Sequence, residues 1–236
     1  VINRDDNVLV DGASKAKAKV MYFSKKTNLK KGCYVEDDTI VISMDNKKMP
    51  VCSVQDLKMP GEHNIENALA ACLIGFLAGV AVNDIGRALI KFPGVEHRLE
   101  YVDTIGGVEY YNDSKGTNPE ASIKAINAMA RPIILIAGGM DKGSDFSPLI
   151  KHFFGKVKEL VLLGEAANRI EAQAIRLGFK NIHKVSSLEE AVDKSSQLAQ
   201  GGDCVLLSPA CASWDMFKDF EERGRLYKKA VGNLRR

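Results

Sequence analysis

The sequence predicts an α/β chain: a mostly parallel sheet covered by helices on both faces, preceded by a smaller unit of short strands and helices. Two observations carry this. Beyond Pro93 strand-like and helix-like segments alternate, the pattern of parallel strands joined by crossover helices. Before Pro93, short β-prone runs alternate with polar turns instead.

In the first part, Val20–Ser24, Thr39–Met44 and Met49–Val54 read as strands separated by turns such as Asp45-Asn46-Lys47, which predicts a small antiparallel sheet. Met59-Pro60-Gly61 breaks the chain. Helices are predicted from about Asn64, as N-cap, to Ala78 and from about Asn83 to Lys91, and Phe92-Pro93-Gly94 ends the section. A domain boundary is therefore placed at 93/94, giving units 1–93 and 94–236.

In the second part, Leu99–Ile105 and Val108–Tyr111 flank Gly106-Gly107, a hairpin signal. Strands follow at Ile133–Ala137, Val157–Leu163, Asn181–Lys184 and Cys204–Leu207. Helices are predicted at Pro119–Met129, Phe146–Phe154, Ala166–Leu177, Leu188–Ala199 and Asp215–Val231, the last with Ser213 at its start.

Composition bounds the function. Over 236 residues, 45% are hydrophobic and 27% charged, ordinary for a globular protein, and a net charge of +3 is too small to imply nucleic acid. The basic end (Arg223, Arg225, Lys228, Lys229, Arg235, Arg236) reads as cations at a helix C-terminus. Cys33, Cys52, Cys72, Cys204 and Cys211 are odd in number and form no C-x-x-C pair, which fits a reducing compartment and no zinc site. The histidines show no metal-ligand spacing, and Ala68–Val82 is too short to span a bilayer. The opening Val1-Ile2-Asn3-Arg4, without an initiator Met, predicts a piece of a longer protein.

Ligands in open α/β sheets sit outside the carboxyl ends of the strands. Three polar loops fall there: Asn112–Asn118, Gly138–Gly143 and Ser208–Ser213. Together they offer two lysines, several hydroxyls and two helix N-termini, a set suited to an anionic ligand. Each has a structural alternative. Asp113 or Thr117 can cap the helix at Pro119, Gly138-Gly139 can be a tight turn, Ser144 or Asp145 can cap the next helix, and Ser213 can cap the last. The pattern G-x-x-x-x-G-K-[ST] occurs nowhere, so the element that cradles nucleotide β- and γ-phosphates is missing from these residues.

GEHNIEN (Gly61–Asn67), HRLE (His97–Glu100), NDSKGTNP (Asn112–Pro119), GGMDKG (Gly138–Gly143) and LSPACASWDMFKDFEERG (Leu207–Gly224) occur in order. With these motifs the chain resembles the Mur ligases over essentially its whole length. The resemblance implies the tail of a central ATP-binding domain at 1–93 and a Rossmann-like C-terminal ligase domain at 94–236. The UDP-binding domain, the P-loop and the magnesium ligands of such enzymes have no counterpart here. DSKGTN and SPACAS are similar to the members that add D-glutamate to UDP-N-acetylmuramoyl-L-alanine through an acyl phosphate, using ATP and Mg2+. The alternatives are another amide-forming ligase, such as a folylpolyglutamate synthetase, or a non-catalytic binding module.

By the same resemblance, Lys115 is catalytic, near the phosphates, while Asn67, Arg98 and Asp113 contact the nucleotide. Thr117, Lys142, Ser213, Trp214 and Phe220 belong to the D-glutamate site, with Lys142 facing a carboxylate. Trp214 stands where leucine is more usual, and its backbone amide is the contact implied. The implied setting is cytoplasmic peptidoglycan synthesis by a monomer, without nucleic-acid or membrane partners. Because no P-loop is present, the 236-residue chain by itself is expected to hydrolyse no ATP; magnesium-dependent turnover by purified chain would contradict this.

Overall fold

The computed structural model describes residues 1–45 and 47–235. Asn46 of the expected Asp45-Asn46-Lys47 turn and Arg236 of the basic end lie outside the described residues. The chain divides into two units, Val1–Pro93 and Gly94–Arg236.

The first unit runs β1 (Ile2–Asn3), α1 (Asn7–Ala13), β2 (Tyr22–Ser24), β3 (Gly32–Glu36), β4 (Thr39–Met44), β5 (Lys47–Ser53), α2 (Glu62–Leu77) and α3 (Val82–Lys91). Its sheet has the order β1-β2-β3-β4-β5. The expected antiparallel sheet is instead mixed: β1, β2 and β3 are parallel to one another, and only β3-β4-β5 form an antiparallel meander. The strand Gly32–Glu36 went unread, and the chain at 25–31 returns to the start of β2 before entering it. Asp5 helps set that return by accepting from the Ser24 hydroxyl and the Lys25 amide. Ser24 Oγ in turn accepts from the amides of Lys26 and Thr27.

Cys33, Ile40 and Ile42 from the sheet are buried with Leu69, Cys72 and Leu73 of α2 and Ile85 of α3, which forms this unit's core. Helix α2 opens two residues earlier than expected, with Gly61 as its cap at φ +98°. Asn64 is therefore not the cap. It is buried in the first turn, where its Nδ2 donates to the Pro60 carbonyl and its Oδ1 accepts from Asn67 Nδ2.

The second unit runs β6 (Glu100–Ile105), β7 (Val108–Asn112), α4 (Pro119–Ala128), β8 (Ile133–Gly138), α5 (Ser147–Lys151), β9 (Val157–Leu163), α6 (Ala167–Arg176), β10 (Ile182–Lys184), α7 (Leu188–Leu198), β11 (Cys204–Leu207) and α8 (Phe220–Asn233). The sheet order is β10-β9-β8-β11-β7-β6. All pairs are parallel except the β6-β7 hairpin at the edge.

Side chains alternate across the strands and divide the core in two. Ile133, Leu135 and Ala137 of β8 pack with Ile126 of α4, Leu149 and Ile150 of α5 and Ile170 of α6. Ile134 and Ile136 face the other way, onto Leu188 and Val192 of α7 and Tyr227 and Val231 of α8. A strand buried on both faces explains the unbroken apolar run at 133–137.

Helix starts differ from expectation at α5, which is capped by Phe146 without a side-chain bond rather than by Ser144 or Asp145, and at two other helices. Asn118, rather than Asp113 or Thr117, caps α4 by accepting from the Ala121 amide, with Pro119 in the first turn. Helix α8 opens at Phe220, not at Ser213 or Asp215, because Asp219 is its cap and accepts from the Glu222 amide at 2.7 Å. The Asp219-Phe220-Glu221-Glu222 stretch has the spacing of a capping box, and Glu222 reaches back to the Lys218 amide. Residues 213–219 form turns instead, with the Ser213 carbonyl accepting from the amides of Met216 and Phe217.

Candidate functional site

Strands β8, β11 and β7 are parallel neighbours, with Leu207 opposite both Asn112 and Ile136. Their carboxyl-end loops consequently leave the sheet side by side, at the edge where such folds bind ligands. Backbone bonds stitch the loops together: Gly138 N–H to Pro209 O and Met140 N–H to Ala212 O at 2.9 Å, and Ala210 N–H to Gly116 O at 2.9 Å. The β9 loop joins through Ala166 N–H to Gly139 O at 2.8 Å. Gly139 has φ +134°, and a Cβ there would stand 2.4 Å from the Ala212 carbonyl oxygen. The second glycine of GGMDKG is thus required by the close approach of the β11 loop.

Beneath the loops lies Arg223, 2% exposed. Its Nε donates to Ser114 Oγ, its Nη2 to Ser114 O at 2.8 Å, and both Nη atoms to Cys211 O at 3.2 Å. The guanidinium joins the β7 loop to the β11 loop, and Nη1 lies near where a Gly139 side chain would begin. Among the described residues no carboxylate comes within ion-pair distance of it, and burial lowers its pKa to about 10. The sequence reading placed Arg223 with surface cations at a helix C-terminus. The structure puts it in the first turn of α8, so it faces the loops and not solvent. The signal was present in the D-x-x-E spacing, which shifts the helix start. Of that basic end, Lys228 pairs with Glu96 and Glu100, and Arg235 with Asp103.

Asp113, 5% exposed, makes a second tie. Its Oδ2 accepts from Ser208 Oγ at 2.8 Å and its Oδ1 from the Leu99 amide at 3.3 Å. Burial raises its pKa to about 6, partly offset by the Ser208 and Leu99 bonds and by the charges of Arg98 and Arg223.

His97 and Leu99 both have positive φ, at +65° and +45°. Three bonds hold this kink: His97 N–H to Glu100 Oε2, Lys115 N–H to His97 O, and Leu99 N–H to Asp113. The His97 ring is 2% exposed against Gly224, where a Cβ would meet Nδ1 at 2.2 Å. Asn112 Oδ1 accepts from the Ser114 amide, so its Nδ2 is the donor to His97 Nδ1 at 2.9 Å. The ring proton then resides on Nε2, which has no hydrogen-bond partner among the described residues. Burial keeps the His97 pKa below its ordinary value.

Glu96, His97 and Glu100 are close enough to hold a metal ion, a grouping the sequence reading missed in E-H-x-x-E. The Lys228 ammonium already occupies it, 2.7 Å from Glu96 and 2.9 Å from Glu100. An internal cation on both carboxylates does not fit a metal site.

The remaining expected residues divide between the loops and adjoining segments of the second unit, and the first unit. Lys115 is exposed, its Nζ 5.7 Å from the Phe220 ring centroid, and Phe220 is half-buried with its ring edge-on to His97. Lys142 is exposed, its Nζ 4.3 Å from the Trp214 ring centroid. Thr117 is half-buried and Ser213 buried. No helix begins at Ser213, yet the N–H groups of Trp214 and Asp215 meet no protein acceptor among the described residues. Arg98 is exposed in the segment that leads to β6. Asn67 belongs to the other unit, exposed on α2 and bonded to Asn64.

Known proteins match the whole chain. Residues 1–75 match the Mur ligase middle domain, and residues 97–211 match the domain described as Mur ligase, glutamate ligase domain. The UDP-N-acetylmuramoylalanine–D-glutamate ligase of Caldanaerobacter subterraneus subsp. tengcongensis is 52% identical over 238 residues, covering 100% of this chain and 52% of that protein. The chain thus spans about half the length of the relatives it matches. A pseudomurein peptide ligase type C from Methanothermus fervidus superposes with a TM-score of 0.67 at 15% identity, over 99% of this chain and 56% of that one. Mycobacterium tuberculosis folylpolyglutamate synthase, solved with ADP and AMPPCP, gives a TM-score of 0.63 at 13% identity, over 93% and 52%. At those identities the structures share the fold.

Replacing Arg223 by Met would leave two buried carbonyls and a hydroxyl without their donor. A loss of about 3 kcal/mol is expected in urea unfolding, and a loss under about 1 kcal/mol would show that the tie is dispensable. Asp113→Asn tests the buried carboxyl. With its folded pKa raised from 3.8 to about 6, the folded state binds the extra proton between those values, so Asp113 costs stability progressively as pH rises through that window. Asn cannot ionise. The stability of D113N relative to wild type should therefore rise by up to about 3 kcal/mol from pH 4 to pH 7. A difference that stays flat in unfolding titrations at pH 4, 5, 6 and 7 would refute the shift.

Proposed function

The chain belongs to the Mur ligase family, and from that premise we propose that it carries the amino-acid-receiving part of an ATP-dependent ligase joining D-glutamate to UDP-N-acetylmuramoyl-L-alanine in peptidoglycan synthesis. One observation supports this above the rest. Three adjacent parallel strands deliver Lys115, Lys142 and the open amides after Ser213 to one edge of one sheet. D-glutamate carries two carboxylates. Lys142 suits one as a charge-assisted partner, and the Trp214 and Asp215 amides suit the other, with the hydroxyls of Thr117 and Ser213 on the same loops.

The acceptor carboxylate is a poor electrophile until activated, and a bound ATP supplies the phosphoryl group for that. Lys115, exposed on the β7 loop, is placed to offset charge on phosphoryl and carbonyl oxygens as it develops. Arg98 and Asp113 are assigned to the nucleotide, and Asn67 of the first unit to the adenine. Both Asp113 oxygens are already bonded within the protein, so its part is as much to hold the His97–Leu99 kink as to meet a ribose. Phe220 borders the site beside Lys115. Magnesium is assigned no ligand here, because the Glu96–His97–Glu100 group is closed by Lys228. A cytoplasmic monomer fits this chemistry, and no described helix is long and apolar enough to cross a membrane. The folylpolyglutamate synthase type shares the fold at 13% identity, against 46–52% for the D-glutamate ligases.

In a full-length ligase carrying these residues, Lys142→Ala should raise KM for D-glutamate roughly tenfold to a hundredfold, since a charge-assisted bond is worth about 1.5–3 kcal/mol. KM for ATP should stay within about twofold. An unchanged KM for D-glutamate would remove Lys142 from the site.

A further inference from the structure

Acidic residues stand on the loop of Lys142 and on the loops bonded to it, yet among the described residues Lys142 pairs with none of them. Asp141 precedes it, and Glu165 and Asp215 lie on the loops stitched to its own. Each of these carboxylates is committed elsewhere. Asp141 receives Arg169 Nη1 at 2.8 Å and the Gly143 amide at 2.9 Å. Glu165 accepts from the Asp141 amide and Asp215 from the Glu165 amide. Among the described residues Lys142 makes no ion pair. Its ammonium instead sits 4.3 Å from the centroid of Trp214, an indole that is 64% exposed. So exposed a tryptophan contributes little to the core, and its contact with a cation is what the geometry explains.

We propose that Trp214 is a positioning residue: its indole face holds the Lys142 ammonium over the loop rim, apart from the neighbouring carboxylates, so that its outward N–H bonds receive a carboxylate of the incoming amino acid. This rests on the dicarboxylate reading of the site and extends it from the Trp214 amide to its side chain. The physical gain is preorganisation. A four-carbon side chain that would otherwise wander or pair with Asp141, Glu165 or Asp215 is held at low entropic cost by a rigid aromatic face. The ring attracts the ammonium through its quadrupole without spending the N–H donors, which remain for the ligand.

Trp214 is the single tryptophan of the chain, so both members of the pair can be observed directly. In NMR spectra of the 236-residue chain, the Lys142 ε-methylene protons should be shifted upfield by the ring current, and W214L should return them to ordinary positions. Tryptophan emission should differ between wild type and K142M. D-glutamate titrated into the chain should bind about two- to fivefold more weakly to W214L, the size of an exposed cation–π contact. W214F, which retains a ring face, should bind within about twofold of wild type, and K142M should lose most binding. Unshifted Lys142 protons in the wild type, or W214L binding as tightly as wild type, would overturn the role of Trp214. Absence of D-glutamate binding by the wild-type chain, with the Lys142 shift present, would instead overturn the dicarboxylate reading on which the role depends.

Discussion

A buried guanidinium with no carboxylate partner among the described residues organises the loop edge of the second unit. Removing a charge from water is costly, and Arg223 recovers that cost through bonds to Ser114 and to the Cys211 carbonyl. These acceptors belong to loops after different strands. Neither loop can move without stranding a cation, so the β7 and β11 loops behave as one piece. Asp113, bonded to Ser208 and Leu99, repeats the arrangement with the opposite sign. Its burial in that layer raises its pKa.

Above this buried layer the chemistry changes character. Lys115, Lys142, Trp214 and Arg98 are exposed, and the cations of the two lysines rest on aromatic rings and not on acids. The result is a buried, hydrogen-bonded floor carrying exposed charges. An anionic ligand is met by such charges without first having to break buried ion pairs. The division also accounts for the glycines that matter here. Gly139 lets the β11 loop approach, and Gly224 leaves room for the His97 ring that closes the floor from the α8 side.

Much of this was legible before the fold. The parallel order of the second unit followed from alternation, and the strands at 133–138, 157–163 and 204–207 fall where the apolar runs lie. The edge loops were readable because Gly, Ser, Asn and Asp cluster after those runs. The errors have two causes: a partner distant in sequence, or a weaker local cap read in place of a stronger one. The mixed sheet of the first unit depends on Asp5 reaching Ser24 and on a strand, Gly32–Glu36, whose burial comes from α2. Helix α8 was started too early because Ser213 follows a strand, as caps often do. Asp219, with Glu222 in place to complete the box, held the stronger signal.

The residue types and their order determined the layers of the second unit and the edge at which its polar, lysine-bearing loops gather. Those follow from periodicity, turn chemistry and local charge, all of which act over a few residues. Only the tertiary structure decided which two loops Arg223 joins, that Lys228 closes the Glu96–His97–Glu100 group, and that Lys142 rests on Trp214. The Arg223–Ser114, Lys228–Glu96 and Lys142–Trp214 pairings join neighbours brought together across about seventy residues or more, and no local pattern names the partner.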